Sequence, residues 1–410
     1  MSAVVEPSRA KSRGSGASND QTRRHNLSAI LTALHHDGPQ PRSQLTARSG
    51  LNRSTVADLV AELTERGLAF ESGPSQTNLV GRPSPMVHPS SNIVGVAVNP
   101  EVDAITVGLV SFSGEVVERV RIPSEAAPSV NDVVAKTADA IESLRALHPS
   151  KSMVGVGVAV PGLVRAADGM VRFAPHLDWT DVPLAELLAE RTGLVVNAAN
   201  DASLGAMAER LFGAGRGKTD LIYLNGGASG IGGGIIANGL PLGGTEGYAG
   251  EFGHIRVSSA GGVTEDPESG SLESEVNRNT LLRALGLTSA DTDELDDALM
   301  ASTDPAVAAL VRHQLEYLSV SLRNAVNVLN PELIVLGGFL SSIFARDPQF
   351  LVDLVVAQSL RASSASMQIV RAQLGGDLLM IGAAELAFSA LLADPAGVEF
   401  RRGTAAEVTA

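Results

Sequence analysis

The chain has 410 residues, 44% of them hydrophobic, and no cysteine, so disulfides and thiolate metal sites are excluded and there is room for a small module plus a two-lobed body. No run approaches the roughly eighteen uninterrupted apolar residues of a membrane span, and the polar, basic N-terminus lacks the apolar block of a secretory leader. The expectation is a cytoplasmic protein with no membrane partner. The formal charge of −14 is uneven: residues 1–90 carry ten Lys and Arg against seven Asp and Glu, a net +3, which leaves −17 on the other 320. Only the N-terminal piece has the sign that suits nucleic acid.

Residues 1–22 are rich in Ser, Gly, Ala and charge without an apolar period, which predicts a disordered tail. From Arg24, the spacing of Leu27, Ile30, Leu31 and Leu34 predicts a helix stopped at His36-Asp37-Gly38-Pro39. A second short helix follows, with Ser43 as candidate N-cap and Leu45 and Ala47 facing inward. Gly50 turns the chain, Asn52 or Ser54 caps, and a third helix runs through Val56, Leu59, Val60 and Leu63 to Gly67. Residues 68–88 fit either two strands around a polar loop or a Pro-stiffened linker.

This stretch, "SQLTARSGLNRSTVADLVAELTERGL", resembles the winged helix-turn-helix of bacterial repressors, which implies an N-terminal DNA-binding domain at 23–88; a three-helix capping subdomain is the alternative. In that geometry Asn52, Arg53, Ser54, Thr55 and Asp58 lie at the start of the recognition helix, where side chains meet base edges and phosphates. Arg42 and Ser43, ahead of the preceding helix, are further candidate DNA contacts, and Arg82 in Gly81-Arg82-Pro83 could enter a narrow minor groove.

After Pro89, "NIVGVAVNP", "AITVGLVSFSG" and "EVVERVRIP" read as a strand meander with a turn at Ser113-Gly114. Helices near 130–147 and 183–192 alternate with the strands "MVGVGVAVPG" and "GLVVNAAN". A second unit contains "DLIYLNGGASGIGGGIIANG" and "PELIVLGGFLS". The alternation predicts an α/β body of two lobes around a cleft.

The run "IGGGIIANGLPLGGTEGYAGEFGHIRV" is similar to the signature of the ROK family of repressors, open reading frames and sugar kinases. Pro161-Gly162, "RFAPHLDWTDVPL", Asn200-Asp201, Gly270 to Glu273, "NPELIVLGG" and "IGAAELA" follow in that family's order. The resemblance implies a two-lobed actin-like or hexokinase-like body at 92–395, preceded by an all-α winged helix-turn-helix and followed by a flexible tail at 396–410, with homodimeric or homotetrameric assembly.

Phosphoryl transfer to a sugar needs a carboxylate beside the hydroxyl, and backbone amides with Mg²⁺ to hold the nucleotide phosphates. By resemblance Asp201 stands at the catalytic base, while Gly162, Asn200, Glu251, His254 and Glu273 stand at sugar-binding positions. Carboxylates and an imidazole suit vicinal hydroxyls. Without the resemblance, Glu251 and His254 read as a surface loop and Asn200-Asp201 as a helix N-cap ahead of "ASLGAMAERL". Trp179 reads as a cleft-edge packing residue, with sugar stacking as the alternative.

Two departures from the family stand out. Ala97 occupies the place of the Asp that ends the first kinase strand, and Asn99-Pro100-Glu101 replaces its Gly-Gly-Thr turn, so proline removes an amide donor and glutamate repels phosphate. ATP is therefore expected not to bind and Asp201 to be vestigial, although Gly226-Gly227, Gly230, Gly232 to Gly234 and Gly337-Gly338 can be read as phosphate loops or as tight packing. The cysteines that hold zinc with the His in many relatives become Thr264, Asp266 and Ser271, so no zinc is expected and the loop 257–272 is expected to move.

The sequence thus points to a sugar-responsive transcriptional regulator, a repressor of carbohydrate genes that binds operator DNA and a sugar or sugar-phosphate effector and uses no cofactor. The alternatives are a hexose kinase with a fused DNA-binding head, and a regulator controlled by a protein partner.

Overall fold

The computed structural model of the chain describes residues 15–73, 84–258 and 269–398. The chain divides into two units, residues 1–93 with 388–410, and residues 94–387. The body therefore ends nearer 387 than 395, because the last residues join the N-terminal unit.

The first unit contains α1 (Ser15–Asp37), β1 (Gln40–Pro41), α2 (Arg42–Ser49), α3 (Arg53–Glu65), β2 (Ala69–Ser72) and β3 (Met86–Pro89). Helix α1 begins before Arg24, so residues 15–22 are helical and not a tail; the Asp20–Arg24 ion pair at 3.1 Å bridges one turn there. Its apolar stripe, Leu27, Ile30, Leu31 and Leu34, is buried with Val56, Leu59, Val60 and Leu63 of α3. In α2 only Leu45 is buried and Ala47 is exposed. Positions two apart lie on different sides of a helix.

The strands form a sheet in the order β1-β3-β2, so the head is not all-α. Phe70 and His88, paired across β2 and β3, stack with ring centroids 4.7 Å apart. The chain's far end completes this unit: Ser28 Oγ donates to the Leu392 carbonyl at 2.5 Å, Arg24 pairs with Asp394 at 2.8 Å, and an Arg66 Nη donates to the Ala396 carbonyl at 3.2 Å. Of the expected tail at 396–410, residues 399–410 lie outside the described residues, as do 1–14 of the expected N-terminal tail.

The second unit carries two five-stranded sheets. In its first half β4 (Ile93–Pro100), β5 (Ala104–Ser111), β6 (Val116–Pro123), α4 (Val130–Leu147), β7 (Ser152–Val160), β8 (Leu163–Arg165), β9 (Met170–Ala174), β10 (Trp179–Val182), α5 (Leu184–Thr192), β11 (Val196–Asn200) and α6 (Asp201–Phe212) follow one another. The sheet order is β11-β7-β4-β5-β6, with β8, β9 and β10 in a separate small sheet. Every residue of β4 and β5 is buried, as their near-continuous apolar runs require.

The second half runs β12 (Leu221–Gly227), β13 (Gly230–Ala237), β14 (Leu240–Pro241), α7 (Leu272–Glu275), α8 (Arg278–Ala284), α9 (Thr292–Ala301), α10 (Pro305–Leu329), β15 (Leu333–Gly337), α11 (Gly338–Arg346), α12 (Pro348–Gln358), α13 (Arg361–Ser364), β16 (Gln368–Arg371) and α14 (Leu378–Ala393), with sheet order β14-β13-β12-β15-β16. Each half has its own apolar core, one around Val96, Val107, Ile141 and Val158, the other around Ile222, Leu315, Ile334 and Leu340. These two cores are the two lobes expected from sequence.

The stretch Gly375–Ala393 is long and apolar enough in composition to span a membrane. It is a core helix: Leu378, Met380, Ile381, Ala383 and Ala384 are buried. The packing is close enough that a Cβ on Gly382 would lie 2.6 Å from the Leu204 carbonyl oxygen of α6.

Candidate functional site

Strand β11 delivers Asn200 and Asp201 to the start of α6. The Asn200 Oδ1 accepts from the Ser203 amide at 2.9 Å and so caps the helix, while its Nδ2 donates to the Gly162 carbonyl at 3.1 Å. The cap reading and the site reading are therefore both satisfied by one side chain. Asp201 Oδ1 accepts from the Ala202 amide at 2.7 Å. Burial pushes its carboxyl from the usual 3.8 up to about 6, Glu251 adds to the rise, and the Ala202 hydrogen bond opposes it.

Glu251 precedes a single 3₁₀ turn at Phe252–His254 that is anchored by buried Phe252. Its Oε2 lies 4.0 Å from His254 Nε2. Burial raises the Glu251 carboxyl above its ordinary value; the neighbouring His254 lowers it and Glu273 raises it. Glu273 sits in the first turn of α7, which Ser271 caps through the Ser274 amide, and its Oε2 accepts from the Ile231 amide at 2.8 Å. Gly230, at φ +126°, must be glycine here, since a Cβ would strike the Glu273 carboxylate.

These elements converge on a cavity of about 450 Å³ whose wall includes all six residues singled out from sequence, Gly162, Asn200, Asp201, Glu251, His254 and Glu273. Among the described residues lining it there are three carboxylates and no Lys or Arg. The wall also includes Phe173, His176, Asn225 and Ser229, which the sequence did not single out. Hairpin register explains the choice of aromatic: Trp179 pairs with Ala174 and shares its face, whereas Phe173 points the other way. Trp179 is accordingly buried, with Nε1 donating to the Pro128 carbonyl at 3.2 Å, and Phe173, half exposed, is the ring at the cavity.

A second cavity, of about 680 Å³, is lined by Asn99, Glu101, Thr106, Arg119, Arg121, Tyr223 and the Gly337-Gly338 pair, among others. Strand β4 continues through Asn99 and Pro100 with no glycine turn: Asn99 pairs with Thr106 and Pro100 with Ile105 of β5. Glu101 accepts from Asn99 Nδ2 and Thr106 Oγ1, each at 3.3 Å, and lies 3.5 Å from Arg121. Burial raises its carboxyl, against the lowering effect of Arg121. The guanidinium groups are already committed: Arg119 pairs with Asp377, Arg121 with Asp103 at 2.9 Å, and Arg371 with Asp296.

In the head, Asn52 is the cap of α3; its Oδ1 accepts from the Thr55 amide at 2.8 Å and from Ser54 Oγ at 2.7 Å. Arg53, Ser54 and Asp58 are exposed along the start of α3, and Thr55 is half-buried. Ser43 is not an N-cap: α2 starts at Arg42, after Pro41, with no side-chain cap, and the Ser43 amide donates to Ser84 Oγ at 3.1 Å. Arg42 is held by Glu71 through its Nε at 2.9 Å and through its Nη2, which reaches both carboxylate oxygens. Arg82 lies outside the described residues, as do Thr264, Asp266 and all but the ends of the loop 257–272.

The sequence pattern of the ROK family matches residues 96–390. The chain is 26% identical over 373 residues to a xylose repressor from Caldicellulosiruptor bescii, covering 86% of this chain and 93% of that protein. It is 33% identical over 256 residues to a glucokinase from Halalkalibacterium halodurans, covering 58% of this chain and 77% of that protein. The crystal structure of a ROK family transcriptional regulator, described as a homolog of the E. coli MLC protein, superposes with a TM-score of 0.74 at 23% identity, over 91% of this chain and 98% of that one. With the family pattern spanning both lobes and the cavity between their strands, the chain belongs to the ROK family.

Proposed function

We propose that this protein is a sugar-responsive transcriptional repressor, not an enzyme. It binds operator DNA through α3, and its body reads a sugar as effector at Gly162, Asn200, Asp201, Glu251, His254 and Glu273. The observation that carries this reading is the continuous β4–β5 pairing through Asn99 and Pro100, with Glu101 facing the second cavity where a kinase would need amides for phosphate. The similarity to a xylose repressor over nearly its full length supports it.

The main cavity favours a neutral ligand. Asp201, Glu251 and Glu273 supply acceptors for sugar hydroxyls, His254 can donate or accept, and no Lys or Arg on the described wall would offset a phosphate. No metal is part of this reading, since Ser271 is spent on capping α7. The kinase alternative rests on Asp201, which keeps a base-like carboxylate at the cavity and would need the nucleotide site that β4 does not provide.

Sugar and DNA affinities are reciprocally linked in this scheme, and a homodimer or homotetramer in the cytoplasm would read a twofold operator. The test is a gel shift at fixed salt on the DNA upstream of this protein's own gene, with neutral and phosphorylated sugars. A specific shift altered by one sugar is expected. ATP-dependent sugar phosphorylation at about 1–100 per second would instead identify a kinase.

A further inference from the structure

The carboxylate-lined cavity shares part of its wall, Glu273 included, with a neighbouring chamber. Behind the turn that joins β12 to β13 lies a smaller chamber of about 170 Å³ that shares His176, Ser229 and Glu273 with the main one and is completed by Asn277, Arg278, Asn279 and Phe339. A single pyranose, with about a dozen heavy atoms, is smaller than the ligands that usually fill clefts of roughly 300–1,000 Å³. The main chamber alone already lies in that range.

The annex differs in chemistry from the main chamber. Arg278, the first residue of α8, is the one Lys or Arg among the described residues lining either chamber. One of its Nη atoms donates to the Ala290 carbonyl, and no described carboxylate forms an ion pair with it. A guanidinium has five N–H donors, so donors remain for a ligand. Asn279 beside it is exposed, and buried Phe339 provides an apolar floor. Donors, an amide and an aromatic surface are what a second sugar ring, apolar on its face and hydroxylated at its edge, requires.

We propose that the effector is a neutral disaccharide, with one ring among Asp201, Glu251 and Glu273 and the second in the annex against Arg278 and Asn279. This rests on the sugar-effector reading above. A phosphate would also suit Arg278, but it would stand beside Glu273, the carboxylate common to both chambers; a neutral ring engages the same donors without bringing two negative charges together.

The experiment is calorimetric titration of the full chain with aldopentoses and aldohexoses, their α- and β-1,4-linked homodisaccharides, and hexose 6-phosphates. At least one disaccharide is expected to bind about tenfold or more tightly than its component monosaccharide, a preference that Arg278→Ala and, independently, Asn279→Ala each reduce by about threefold or more. Asn279→Ala removes an exposed side chain and keeps the test valid should Arg278→Ala fail to fold. Equal affinity for mono- and disaccharide, tighter binding of a sugar phosphate, or a preference that survives both substitutions overturns the proposal. Loss of monosaccharide and disaccharide binding together in Glu251→Gln supports the shared first-ring site. If no sugar of any size binds, the effector reading itself fails, and the disaccharide falls with it.

Discussion

Glu273 and Ile231 lie 42 residues apart in sequence and are joined by one hydrogen bond, from the Ile231 amide to Glu273 Oε2 at 2.8 Å. That bond fixes a carboxylate from α7 against the start of β13, at the wall of the cavity that Glu273 lines.

Gly230→Ala should therefore damage the site through Glu273 and not through the chemistry of the residue itself. The added methyl group displaces the carboxylate and strains a backbone at φ +126°, a conformation that costs about 1–3 kcal/mol for a side-chain-bearing residue. Sugar affinity by calorimetry should fall about tenfold or more, while sugar-free operator binding remains. Unchanged affinity would remove Glu273 from the binding set.

Asp201 makes the site sensitive to pH. Its carboxyl is raised from 3.8 to about 6, so the empty folded protein holds this proton more tightly than the unfolded chain does. Its contribution to stability is full below about pH 4 and is lost as the pH rises through about 6. Asp201→Asn should thus raise the melting temperature at pH 7 and leave it nearly unchanged at pH 4. If the ionised form accepts sugar hydroxyls, binding must strengthen between pH 5 and 7 and release a proton, which calorimetry in buffers of different ionisation enthalpy detects. Binding that is flat across this range would mean that Asp201 does not contact the ligand.

In the head, Arg53 and Arg42 should behave differently although both carry a charge. Arg53 is exposed at the start of α3, so Arg53→Ala should weaken operator binding and lower the salt slope by about 1 if it contacts phosphate. Arg42 is already paired with Glu71. Glu71→Gln should free it and tighten non-specific DNA binding, most clearly at low salt, by fluorescence anisotropy. Loss of binding in Glu71→Gln would show that the ion pair serves the fold of β2 and not the charge of the surface.

The second cavity should reject ATP. With Glu101 at the end of β4 and the nearby arginines paired to Asp103, Asp296 and Asp377, calorimetric titration with ATP and Mg²⁺ should show no binding tighter than about 1 mM. Micromolar affinity would reopen the kinase reading.

The order of strands and helices and the three helices of the head could be read from sequence because each depends on local periodicity, whereas the six cavity residues were implied by the family resemblance, and all six line one cavity. What could not be read depends on distant partners. The choice of Phe173 over Trp179 as the cavity aromatic follows from the β9–β10 register, which one residue of slip would reverse. Helix α1 extends back to Ser15 through a polar segment that carries no apolar period. The assignment of residues 388–398 to the head rests on hydrogen bonds to residues more than 300 positions earlier, such as Ser28 to Leu392.

That last feature has a consequence for how the protein is made. A ribosome delivers chains from the N-terminus, and domains commonly fold as they emerge. Here buried Phe388 and Leu391 belong to the same unit as Leu27 and Leu31, so the head lacks part of its core until the segment around Leu391 has also been made. A polypeptide released before that segment would carry a head with a gap in its apolar core.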